Sequence, residues 1–279
     1  MPKICLLLAI FLAAPVFAAD NSAIFVKRLG GMEIVALLDA GGVKDGSTNI
    51  LIDADKNDLE RAAKPGALKT SINAFVVKIE GKTVLFDTGM PAKVTGGILP
   101  ALKKAGLRPA DIDAVVITHF HFDHVGGLLD ENGKPIYPNA ELYVPRVEVD
   151  KWSDPGTSFL LAYNVRTNAF EWNREILPGI TALAAVGHTP GHTIFRLEAG
   201  AGRLMIIGDL IHLPGVQLAN PDLAVTYDSD PAQAVASRKR VFDTVADEML
   251  PVASMHIPFP GMGMLMKDGD GYEFSPLGK

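Results

Sequence analysis

The sequence predicts an α/β layered fold. Three observations carry that expectation: short apolar or β-branched runs that stop at turn residues, intervening stretches with apolar residues at helical spacing, and a chain of 279 residues of which 48% are hydrophobic. Strands alternating with helices pack as layers, because each sheet face and each helix stripe must be buried against another element. The length stands at the upper end of what one domain usually holds, with enough apolar side chains for a sizeable core.

Residues 1–18 read as a secretory leader. Lys3 supplies the positive start, residues 4–14 the apolar stretch, and Val16-Phe17-Ala18 a small-residue cleavage site. The apolar run is too short for a permanent span, and Cys5 precedes most of it, which argues against a lipoprotein. The expectation is a secreted or periplasmic protein, with residues 19–279 as one domain and no stable membrane insertion. Cys5 is the only cysteine, so the mature chain would have none. Thiolate mechanisms and Cys-containing metal sites are thereby excluded. The net charge of −6 gives no electrostatic reason to bind nucleic acid. A homodimer is compatible with the sequence but nothing in it requires one.

Residues 53–58 superficially suggest a calcium loop, but Asp58 stands where Gly is needed and Lys64 where Glu is needed. They read as a solvated loop. Residues 72–79 and 83–86 read as strands joined in a hairpin at Glu80-Gly81-Lys82. Residues 97–105 have helical spacing. Residues 114–118 form a β-branched run, a buried strand ending on His119, and residues 203–207 another, ending at Gly208-Asp209. Residues 232–247 again show helical spacing, with Asp230 as N-cap and Pro231 at the first helical position.

The chemistry is concentrated after the strand at 114–118. His119, His121, Asp123 and His124 fall within six residues and are followed by Gly126-Gly127. If strand geometry persisted, His119, His121 and Asp123 would share one face, and a turn would let His124 reach a second point nearby. Imidazole and carboxylate together suit zinc first, and also cobalt, manganese or iron. Burying such a cluster unpaired would be costly, so packing is a poor explanation for it. The other four histidines, His188, His192, His212 and His256, all lie in turn-like contexts.

These motifs occur in a fixed order: Phe86-Asp87-Thr88-Gly89, then H-x-H-x-D-H at 119–124, G-H-T-P-G-H at 187–192, Gly208-Asp209 and the late His256. In this the chain resembles the metallo-β-lactamase-fold superfamily. It looks most similar to the branch containing methyl parathion hydrolase and dihydrocoumarin hydrolase, through G-D-L-I-H, Asp228-Ser229-Asp230 and H-I-P-F-P-G. The resemblance implies an αββα sandwich with two divalent metal ions at one edge. It implies that His119, His121 and His188 hold one ion, that Asp123, His124 and His256 hold the other, and that Asp209 bridges both. His192 would then be a supporting residue, and Asp87 would orient the metal-binding loop or simply form a turn. Where many homoserine-lactone lactonases have a Tyr three residues after the bridging Asp, this chain has His212, which could polarise a substrate oxygen or serve a supporting role.

Two adjacent cations would acidify a water between them and polarise a C=O or P=O bond, with Asp123 and Asp209 assisting proton transfer. The expected substrate is small, neutral and apolar or aromatic: a lactone, an aryl ester or an organophosphate triester. Alternatives within the same resemblance are an iron-dependent persulfide dioxygenase-like oxidoreductase and a β-lactam hydrolase. Phe122, Trp152, Phe159, Trp172, Phe259 and Met262 are candidates to line the pocket, although aromatic side chains equally pack loops onto cores.

Overall fold

The computed structural model describes residues 23–152 and 157–278. The leader read at residues 1–18, with Cys5, lies outside them. In chain order the first strands are β1 (Ile24–Leu29), β2 (Met32–Leu38), β3 (Lys44–Asp45), β4 (Lys69–Thr70), β5 (Asn73–Ile79), β6 (Lys82–Phe86), β7 (Ala114–Val116) and β8 (Glu141–Pro145). They are followed by β9 (Thr167–Phe170), β10 (Arg174–Leu177), β11 (Ile180–Ala184), β12 (Thr193–Ala199), β13 (Gly202–Ile206), β14 (Val252–Ala253), β15 (Met262–Asp268) and β16 (Gly271–Pro276). The helices are α1 (Lys56–Ala62), α2 (Ala92–Thr95), α3 (Leu99–Lys104), α4 (Phe122–Val125), α5 (Arg146–Lys151), α6 (Ser158–Tyr163), α7 (Pro214–Gln217) and α8 (Pro231–Asp247). Among the described residues no helix is long and apolar enough to cross a membrane.

Two seven-stranded sheets face each other, one in the order β1-β2-β5-β6-β7-β8-β9 and the other β10 through β16 in sequence order. Alternation along the strands divides the apolar side chains among three cores. Phe75, Val77, Val84, Phe86 and Val116 from the first sheet meet Phe195, Leu197, Leu204 and Ile206 from the second between the sheets. The opposite faces are covered from outside. Val76, Leu85 and Val115 pack with Ala101 and Leu102 of α3, while Met205, Val252 and Leu265 pack with Val241, Phe242 and Val245 of α8. The layers are therefore α, β, β, α, the expected sandwich.

The hairpin at 80–82 forms with Glu80 and Gly81 both left-handed, the geometry that a two-residue turn between twisted strands favours. Asp230 caps α8 by accepting the Gln233 N–H at 3.0 Å, as its sequence predicts. The loop expected at 53–58 is instead the start of α1. Asp55 and Asp58 cap each other's backbone reciprocally, and Asp58 is buried against Arg61 and Asn220. Spacing alone hid this short helix, because its polar residues serve the cap rather than a solvated face.

Strand direction positions the site. β6 runs parallel to β7 in the first sheet, and β13 parallel to β14 in the second. The segments leaving their C-terminal ends, which carry Asp87, His119, Asp209 and His256, therefore emerge at one edge of the sandwich.

Candidate metal centre

Beyond β7 the chain runs through residues 117–121 and enters α4 at Phe122, so extended geometry does not continue through Asp123. The turn nevertheless brings the motif side chains inward. His119 Nε2 and His188 Nε2 each lie 2.9 Å from His121 Nδ1, and His188 Nε2 is 3.3 Å from Asp209 Oδ2. Three ring nitrogens and one carboxylate oxygen thus converge on one point. At a second point His256 Nε2 lies 3.4 Å from Asp123 Oδ2, and His124 Nε2 lies 3.6 Å from Asp123 Oδ1. Asp209 reaches both groups: its Oδ1 is 3.2 Å from His124 Nε2 and its Oδ2 is 3.1 Å from His256 Nε2. Both groups meet the spatial requirement for holding an ion.

The donor set fits divalent cations on a further observation. Among the described residues the buried His124 Nε2 and Asp209 Oδ1 have no hydrogen-bond partner, although they face each other. Buried polar atoms are rarely left so unless an ion or water completes them. Imidazole and carboxylate are the ligands that zinc-like ions take.

The nitrogens facing the two points are set by partners on the other side of each ring. Asp87, left-handed and buried, accepts from the Thr118 N–H at 2.8 Å, from the Thr118 hydroxyl at 2.8 Å and from His124 Nδ1 at 2.7 Å. The Thr118 hydroxyl in turn accepts from His119 Nδ1 at 3.0 Å. His188 Nδ1 donates to Asp228 at 2.9 Å and His256 Nδ1 to the Ser71 carbonyl at 3.0 Å. With a proton held at Nδ1, Nε2 is the nitrogen that each of these rings turns toward the two points. The orienting reading of Asp87 is thus the one its contacts support.

His192 is built differently. Its Nδ1 meets the Ala185 carbonyl and its Nε2 accepts the Asp209 N–H, both at 2.9 Å, so neither nitrogen is available. A Cβ on Gly208, itself left-handed, would stand 2.5 Å from that Nε2. Glycine is what lets the imidazole close on the backbone and aim Asp209.

Electrostatics follow from burial among these groups. Burial holds His192 down to about 3 and, with His188 beside it, His121 down to about 4. Burial also opposes charge on His188, but Asp209 and Asp228 outweigh it and lift that ring to about 9. Burial likewise opposes charge on Asp209, yet His124, His256 and His119 hold it well below the ordinary carboxylate range.

The two groups floor a cavity of about 510 Å³. Its walls include Ile50, Ile72, Met90, Phe122, Leu213 and Tyr227, with Lys44 and Thr95 farther out in sequence from the ligands. His212 is also there, its Nε2 3.3 Å from Asp209 Oδ2, its ring stacked on His256 and its buried Nδ1 unpartnered. Of the six side chains expected to line the pocket, Phe122 does so. The other five are placed elsewhere. Trp152 packs on His121 and Phe120, and Phe159 is buried against Phe120 in the core under the first sheet. Trp172 donates Nε1–H to Thr193, while Phe259 and Met262 join the core between the sheets. Aromatic burial onto the sandwich won over roofing the cleft. Sequence reasoning missed Met90, Tyr227 and the segment around Lys44–Ile50, which carry no motif. It noted Asp228 only as part of a likeness.

A fold of two facing sheets with a His/Asp-rich cleft at the edge defines a class of metallohydrolase-like proteins. Residues 68–252 match the model of the metallo-beta-lactamase superfamily, and the chain belongs to that superfamily. Among solved structures it is similar to AidC, a dizinc quorum-quenching lactonase in complex with a product (27% identity, TM-score 0.84, covering 93% of this chain and 99% of that one). It is equally similar to AbOPH, a hydrolase in the beta lactamase superfamily (29% identity, TM-score 0.84, the same coverage). It is also 26% identical over 221 residues to an N-acyl homoserine lactonase of Bacillus thuringiensis, covering 70% of this chain and 84% of that protein.

Proposed function

We propose that the protein is an exported two-zinc hydrolase that opens lactones. The observation that carries this reading is the convergence of seven His and Asp side chains into two groups sharing Asp209, at the floor of a mostly apolar cavity. The similarity to lactonases by name supports the choice of substrate. His119, His121 and His188 would hold one ion, Asp123, His124 and His256 the other, and Asp209 would serve both. Two such ions supply Lewis acidity toward a carbonyl and lower the pKa of bound water toward neutrality.

The chain's own residues do the rest. Asp87, Asp228 and the Ser71 carbonyl hold protons on His124, His188 and His256 at Nδ1, so that Nε2 is the nitrogen each ring would offer an ion. Ile50, Ile72, Met90, Phe122 and Leu213 take the apolar part of the substrate and exclude water around it. His212, which lines the cavity with Nε2 beside Asp209, would meet the substrate's carbonyl oxygen. The leader at residues 1–18 would deliver the protein beyond the cytoplasm.

Zinc-loaded protein should be assayed with an acyl-homoserine lactone, dihydrocoumarin, p-nitrophenyl acetate, a phosphotriester and a β-lactam. Lactone turnover is expected to lead. Preference for the ester or the phosphotriester would move the assignment to the methyl parathion hydrolase side of the likeness, and inertness toward all five would overturn it. Metal analysis finding a single iron with iron-dependent oxygen uptake would replace it with the oxidoreductase reading.

A further inference from the structure

We propose that Glu148 is a positioning residue that sets the distance between the two loops holding the first ion, clamping His119 and His121 to His188. The inference rests on the metal reading given above.

Glu148 lies in the first turn of α5, outside every metal-binding motif, and its side chain is 1% exposed. Among the described residues no Lys or Arg pairs with it. Its two oxygens divide between two loops: Oε2 accepts the Phe120 N–H at 3.0 Å and Oε1 accepts the Gly191 N–H at 2.7 Å. Phe120 stands between His119 and His121, and Gly191 stands three residues after His188. The carboxylate is thus a direct link between a loop of the first sheet and a loop of the second, beside the Thr193 N–H bond to the Thr118 carbonyl, and both loops bring donors to the same point.

Two features show that the arrangement is built rather than incidental. A Cβ on Gly191 would lie 2.6 Å from Glu148 Cγ and 2.7 Å from its Oε1. The second glycine of G-H-T-P-G-H therefore gives the carboxylate its room. From the same short helix, the Trp152 N–H closes on the Glu148 carbonyl at 2.9 Å, and the Trp152 ring meets His121 edge-on at 5.6 Å. α5 therefore braces one ligand by ring contact while tying the backbones beside the others. Burying a carboxylate with no cation is unfavourable, and burial raises its pKa against the pull of the Thr189 side chain and the two N–H groups. That cost is understandable if the fixed spacing serves the ions.

The test is metal titration of Glu148→Gln against a chromophoric chelator, with cobalt(II) spectra as a second readout. The amide keeps the shape but has a single acceptor oxygen, so one loop is released. Wild-type protein should bind two ions. In the variant one of the two binding constants should fall about 10- to 100-fold while the other moves little, the size usual for residues that support ligands. The cobalt spectrum of that position should change. Equal loss at both positions, or no loss at either, overturns the inference. Failure of wild-type protein to bind ions sinks the metal reading instead. Should Glu148→Gln not fold, Glu148→Asp, which can reach one loop only, decides the matter: selective weakening supports the clamp and unchanged constants refute it.

Discussion

The floor of the cleft is made of imidazoles and carboxylates that are almost wholly buried and held from behind: His124 by Asp87, His188 by Asp228, His256 by the Ser71 carbonyl, and Asp209 by His192. The rim is made of side chains such as Phe122 and Tyr227, which are 55% and 54% exposed. A floor residue therefore has one available geometry, because every alternative leaves a buried polar atom unpaired. A rim residue has several, at little cost. Chemistry should fail when the floor is altered, whereas substrate choice should shift when the rim is.

The sharpest way to break this contrast is at Asp209. Asp209→Asn is expected to weaken both ions and to lower kcat at least about 10³-fold; metal analysis with steady-state kinetics checks both, and near-normal turnover would refute the shared-ligand assignment. Next come the two histidines of one motif. His188→Ala should cost about 100-fold or more in metal affinity, and His192→Ala about 10-fold, through a loosened Asp209. A competition titration that reversed this order would move the ligand from His188 to His192. His212 stands between floor and rim. Its replacement by Ala should leave two ions bound and lower kcat about 10²-fold, the effect of removing one donor to a developing oxyanion. Lost metal instead would make it a ligand. At the rim, Phe122→Ala should raise KM for long-chain lactones about tenfold, from lost apolar contact, with kcat little changed. Trp172→Ala is the matched control away from the cavity, expected to leave both constants unaltered. Equal effects at the two positions would erase the distinction between them.

The same contrast explains what could be read before any coordinates were known. The floor was legible because ligand chemistry restricts residue type at each position. His119, His121, Asp123, His124, His188, Asp209 and His256 stand out as letters, and the structure brings all seven together. The sandwich was legible in its strongest strands, since the hairpin, β7, β13 and α8 have clear periodicity and caps. The rim was not, because many side chains can fill it. Trp152 and Phe159 looked like pocket aromatics, and their packing on Phe120 depends on tertiary neighbours that spacing does not reveal. Glu148 was invisible for another reason. Its partners are backbone N–H groups, which leave no mark on residue identity except the glycine at 191.

The placement of the donors on both sheets has a thermodynamic side. An ion that binds only the folded chain stabilises it by mass action, about 2.7 kcal/mol at a free concentration one hundred times its Kd. Here each ion would take ligands from both sheets, so that free energy would act across the seam of the sandwich and not within one layer. Removing the ions by chelation should lower the melting temperature. It should also speed amide exchange first along that edge, where the Thr193 N–H donates to the Thr118 carbonyl and the Asn73 N–H to that of Met255. Metal supply would then govern how long the protein survives as well as how fast it works.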